Sequence, residues 1–191
     1  MSFMLLGILN SQAAGGGDPS SFDLLSSTTL TSAPASFTFS GLAAYAADYK
    51  HLQVRLLIGS NASAQQDGLQ IKMNNNGSPH YSRTLFTNHG GTIQAGDQNG
   101  PASMNFSDII PGGSINTNIF GANILDIYDF ASASKATTLR GLHGHTGSSQ
   151  GNAGISMAIT TYNAAITQIT FNPWNGSAFR YGSRFAIYGV R

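Results

Sequence analysis

The sequence predicts an all-β chain: an antiparallel β-sandwich, jelly-roll-like, carrying an extended N-terminal arm. Three observations predict it. Apolar residues recur with a period of two rather than 3.6. Gly, Asn and Pro clusters punctuate the apolar runs at short intervals. The residues that build amphipathic helices are scarce, with no Glu at all and three Lys among 191 residues. Ser, Thr, Asn and Gly take their place, and these suit strand faces and turns.

The chain divides into residues 1–21, an apolar arm with a Gly-rich linker, and residues 22–191, the sandwich domain. In the arm, Phe3, Met4, Leu5, Leu6, Ile8 and Leu9 form an apolar run, and Gly15, Gly16 and Gly17 follow a stretch of small residues. Three readings compete for this run. A secretory signal would place an apolar segment before small residues but wants a basic stretch ahead of it, which is missing. The segment could instead fold back on its own domain, or lie on a neighbouring subunit. The glycine linker favours the neighbour, because it separates the adhesive segment from the domain behind it.

Ten candidate strands follow: 22–31, 36–40, 51–58, 69–73, 80–87, 119–128, 136–143, 155–161, 169–171 and 185–187. The clearest is 51–58, where Leu52, Val54, Leu56 and Ile58 share one face. Ile155, Met157 and Ile159 repeat that alternation. Asn74, Asn75, Asn76 and Gly77 signal a turn, since Asn and Gly reach positive φ at low cost. Residues 88–113 read as a long loop with six glycines and two prolines, the kind of segment that is functional or packed on a partner. Residues 129–135 could form a single helical turn. In the closing segment Phe185 and Ile187 point inward, and Gly189 relieves a close backbone approach. Many short strands joined by turn residues give a two-layer sandwich or barrel, and no internal repeat suggests a propeller or solenoid.

Composition narrows the function classes. Charged residues make up 9% of the chain, against about 25% in ordinary soluble domains. A surface solvated by hydroxyls and amides suits tight protein contact, because few ions need desolvating. The net charge of +1 and nine scattered basic residues argue against nucleic acid as a partner. No apolar run approaches the length of a membrane-spanning helix, so no membrane partner is expected. The absence of cysteine excludes thiol chemistry and a disulfide scaffold.

The chemical motifs are weak. Gly147, Ser148, Ser149, Gln150 and Gly151 match the letters of a nucleophile elbow, with His143 and His145 nearby. They lie between two strands, though, without the helix that such an elbow needs. His143 and His145 share a strand face, a spacing some metal sites use, but a tetrahedral site needs further ligands. His51, His80 and His89 could supply them only through tertiary coincidence; the plainer reading is two polar histidines at a strand end. Asp126 and Asp129 flank a strand end without the cleft that paired-carboxylate hydrolysis requires. The expectation is no enzyme, no catalytic residue, no metal and no cofactor. Trp174 and Tyr181, in an Asn- and Arg-bearing connection, could face a glycan by stacking on sugar rings. Alternatively, Trp174, Phe179 and Tyr181 cap one end of the core.

Several segments carry a family likeness: YKHLQVR at 49–55, MNNNGSPHYS at 73–82, NIFGANILDIYDF at 118–130, KATTLR at 135–140 and SRFAIYGV at 183–190. Together they resemble the small β-rich virion structural proteins of tailed bacteriophages, whose members include capsid cement or decoration proteins and fibre-like proteins. The resemblance implies a virion location, a homo-oligomer that is a trimer, and no cofactor. It leads to the expectation of a cement protein that binds the head lattice through the major capsid protein or other virion proteins. The arm, residues Phe3, Met4, Leu5, Leu6, Ile8 and Leu9, is then the docking element. The alternative is a tail fibre or spike component with a receptor-binding sandwich, whose glycan-facing aromatics would be Trp174 and Tyr181.

Overall fold

A computed structural model describes residues 21–77, 81–101, 103–115, 118–146, 151–161 and 163–191, with the backbone alone at 107–109. These residues form an antiparallel β-sandwich. The strands are β1 (Phe22–Thr29), β2 (Phe37–Phe39), β3 (His51–Ile58), β4 (Gln66–Met73), β5 (Tyr81–His89), β6 (Thr92–Asn99), β7 (Met104–Pro111), β8 (Gly121–Tyr128), β9 (Thr138–Thr146), β10 (Gly151–Thr160), β11 (Ile169–Pro173) and β12 (Arg184–Val190). The larger sheet has eight strands in the order β1-β12-β3-β8-β9-β10-β5-β6; the smaller has four, β2-β11-β4-β7. Among the described residues the one helix is a short 3-10 turn, Leu42–Tyr45.

The core lies between the sheets and is aromatic at one end. Phe37 stacks on Phe185 with centroids 4.2 Å apart, and Phe179 meets Phe185 edge-on at 5.1 Å. Phe171 and Phe185 are fully buried, one from each sheet, in the offset and T-shaped arrangements that ring quadrupoles favour. Leu52, Val54, Leu56 and Ile58 of β3 all face this core, as their alternation predicts. Asn74 and Asn75 adopt positive φ (53° and 50°) in the turn that carries the chain out of the smaller sheet. The Asn74 side chain then accepts the backbone N–H groups of Thr167 and Gln168.

Two expectations are corrected. Residues 88–113 are not a loop: they hold the end of β5, all of β6 and β7, and the hairpin turn Gly90–Gly91, where both φ values are positive (56° and 95°). Strand β6 is exposed along almost its whole length, so it has no buried face to impress an apolar alternation on the sequence. Residues 129–135 form a turn closed by Ser132 N–H on the Asp129 carbonyl, without a helix.

Candidate functional site: an apolar trough on the outer sheet face

The outer face of the larger sheet carries its apolar side chains in register. Ile124 pairs with Arg55 on one side and Leu142 on the other. Leu142 pairs with Ile155, Ile155 with Phe86, and Phe86 with Ala95. One row therefore runs Arg55, Ile124, Leu142, Ile155, Phe86, Ala95 across six strands. The next row runs Leu57, Ala122, Gly144, Ala153, Asn88, Ile93. Small residues form its middle, so the backbone lies open beside the apolar wall of Ile124, Leu142, Ile155 and Phe86. Depressions of about 610 Å³ and 290 Å³ lie along these rows and adjoin at Ala122 and Ile124; together they form the trough.

The apolar side chains are solvent-facing. Phe86 is 56% exposed, Leu142 55%, Met157 55% and Ile93 79%. With Leu57, Ile124, Ile155 and Ile159 they form one apolar face whose large side chains are exposed together, the kind of surface that marks an interaction site. Strand β10 explains the patch best. Its alternation is correct but its large residues point outward, while Ser156, Ala158 and Thr160 point into the sandwich. The inward hydroxyls are satisfied there: Ser156 donates to the Phe106 carbonyl, and Thr160 accepts from the Thr137 N–H at 3.0 Å.

Charge borders the apolar rows: Arg55 and Arg184 lie at the β3 and β12 end, and Asp126, Arg140 and Asp97 lie in the neighbouring row. Arg55 lies over the Tyr188 ring at 4.3 Å and the Phe22 ring at 5.3 Å. Arg140 donates to Asp126 through Nη2 at 2.7 Å and Nε at 3.2 Å, and Gln53 donates to the other Asp126 oxygen. Asp126 is thus a structural acceptor on an open sheet. Asp129 sits beyond the strand end, where its N–H donates to His51 Nδ1 and its carboxylate meets Lys135.

The histidines are not a polar strand end. His143 and His145 are both buried on the inner face of β9. His143 Nε2 lies 2.9 Å from the Ser156 hydroxyl. Burial, aided by the positive charge of Arg83 and by His89, holds the His143 pKa at about 4; burial and His89 push His145 down too. No group of three metal-ligating side chains occurs among the described residues, and Ser148, Ser149 and His80 lie outside them.

A pH dependence follows. The unfolded imidazole titrates near 6.5, so between pH 6.5 and 4 the unfolded chain binds a proton that folded His143 refuses. Stability is fully present above about 6.5 and falls as the pH drops toward 4, by about 3 kcal/mol over the whole window. Urea unfolding at pH 7.5, 5.5 and 4.5 measures it. The His143→Gln variant should lose most of that slope; an unchanged slope would remove His143 as its source.

The connection after β11 splits the predicted aromatics. Phe179 is fully buried as a core cap, while Trp174 is 47% and Tyr181 70% exposed. Tyr181 lines a depression of about 690 Å³ with Asn61, Asn118, Phe120 and Arg180; Trp174 is not part of its wall. Buried Asp67 holds the start of this connection by accepting the N–H groups of Asn175 and Gly176 at 2.7 and 2.9 Å. The predicted docking residues Phe3, Met4, Leu5, Leu6, Ile8 and Leu9 lie outside the described residues. The trough is not visible in the sequence because it arises from cross-strand register. Its one local trace is β10, where every second residue is large and apolar and the residues between are small or hydroxylated. Comparison with protein-family models, with curated proteins and with solved structures returns no match.

Proposed function

We propose that this chain is a structural protein of a tailed-phage virion: a capsid cement or decoration protein that oligomerises and bridges neighbouring subunits of the head lattice. The observation that carries the reading is the apolar trough, a surface whose size and low charge suit a protein partner. The low charge of the whole chain and the apolar segment at 3–9 support it, as does the family resemblance. Many weak contacts repeated around an oligomer multiply into firm attachment. Copy number per purified particle tests the assignment. Hundreds of copies are expected; a few to a few dozen would move the protein to the tail. Deleting residues 1–14 should abolish attachment while leaving the circular dichroism of the sandwich unchanged. Full occupancy by the truncated protein would remove the arm from the docking role.

One observation favours the second reading, a glycan-binding tail fibre or spike domain: exposed Tyr181 beside a depression that also carries Asn61, Asn118 and Arg180. Binding of the isolated protein to host cells or their polysaccharide, lost in Tyr181→Ala, would establish it.

A further inference from the structure

The trough needs an occupant, and the chain contains a segment that matches it. Resting on the assembly reading above, we propose that residues 3–9 of the chain fill the outer-face trough of their own domain in the isolated protein. On a crowded lattice the same contact can exchange between copies.

Length is the first argument. Seven extended residues span ~23 Å. The trough crosses five strand spacings from Leu57 on β3 to Ile93 on β6, or ~24 Å. Reach is the second. Phe22 on β1 is level with Val190, His51, Tyr128 and Thr138 across the sheet. Leu142 is therefore four strands across and four residues along, ~23 Å from the start of β1. The twelve residues 10–21 extend to at most ~40 Å and average ~19 Å as a Gly-rich chain, so docking within one molecule proceeds at a millimolar effective concentration.

Chemistry is the third argument. No charged residue occurs among residues 1–17, and the trough's charges sit at its β3 and β12 end: Arg55, engaged on the Tyr188 and Phe22 rings, and Arg184. The floor of Ala122, Gly144 and Ala153 lets a backbone approach closely, and the neighbouring row of Ile124, Leu142, Ile155 and Phe86 packs against alternate residues of an extended segment. The segment is apolar at nearly every position, so with Met4, Leu6 and Ile8 facing the trough, Phe3, Leu5 and Leu9 point away. That second face is then available to a virion partner.

The absence of cysteine makes the test clean. Leu6→Cys combined with Ala153→Cys pairs the middle of the segment with the middle of the trough. Leu6→Cys combined with Thr38→Cys, on the exposed face of the smaller sheet, is the control. At micromolar protein, oxidation should close an intramolecular disulfide in the first pair at least tenfold faster than in the second. Equal rates, or disulfide-linked dimers in place of the bridged monomer, would overturn the assignment, the dimers by naming a second copy as the occupant. As a second readout, Leu6→Asp in the full chain should raise the fluorescence of a hydrophobic dye severalfold; no change would count against it. Copy number per particle is independent of both. A failed bridge with hundreds of copies leaves the virion reading standing and removes only this occupant.

Discussion

Gly141→Ala should destabilise the sandwich by about 3 kcal/mol, the upper part of the range for overpacking a tight core. Gly141 lies in the middle of β9, between Leu125 of β8 and Ser156 of β10. A Cβ on its inner face would fall inside the Phe106 ring, against Cζ and both Cε atoms. The ring cannot step aside, because Phe106 is fully buried and its carbonyl is held by the Ser156 hydroxyl. The glycine is what lets β7 of the smaller sheet sit close on the larger one. Urea unfolding measures the loss. The double variant Gly141→Ala, Phe106→Leu should recover part of it, since the shortened side chain leaves room for the methyl group. Recovery is the decisive outcome: purely additive losses in the two variants would mean that the ring contact is not the cause.

Arg180→Ala should cost about 3 kcal/mol as well, for the opposite reason: it removes a tie instead of adding bulk. The guanidinium donates to three backbone carbonyls: Ser60 through Nε at 2.9 Å, Ile119 through Nη1 at 3.0 Å, and Gly112 through Nη2. These belong to the segment after β3, the approach to β8 and the exit from β7, so one side chain knots three connections at one end of the sandwich. Burial lowers the Arg180 pKa by desolvating the cation, which the carbonyl dipoles offset. Arg180→Lys keeps a charge but not the planar fork, and should recover less than half of the loss. A lysine variant as stable as the parent, by midpoint and slope of urea unfolding, would show that charge alone suffices.

Strand positions were legible in the sequence because one apolar face per strand leaves a period of two. Residues 51–58, 69–73 and 185–187 were readable for that reason, as was Gly189, over which the Tyr49 ring lies. Four features were hidden, each for a physical cause. Strand β6 is wet on both faces, so nothing selects for alternation there. The alternation of β10 reveals which residues share a face but not which face meets the core; that depends on where the smaller sheet lies. Arg180 is locally an ordinary arginine in a polar connection, and its three carbonyls come from segments 61 to 120 positions away. The trough likewise assembles from β3, β8, β9, β10, β5 and β6, and only their register aligns its rows. The arm was legible as an adhesive segment, whereas the surface that matches its length was not.

The placement of β12 has a consequence for the order in which the molecule can form. Strand β1 has one neighbour in its sheet, β12, and β12 also separates β1 from β3. The first strand of the domain therefore stays unpaired until residues 184–190 have left the ribosome. Contacts between such distant parts of a chain close slowly, because the loop entropy is lost before the pairing repays it. The segment ahead of β1 is consequently not anchored to the sheet during synthesis. Its seating waits for β12 to emerge, so an apolar arm gains its fixed origin only when the rest of the sandwich is ready to receive it.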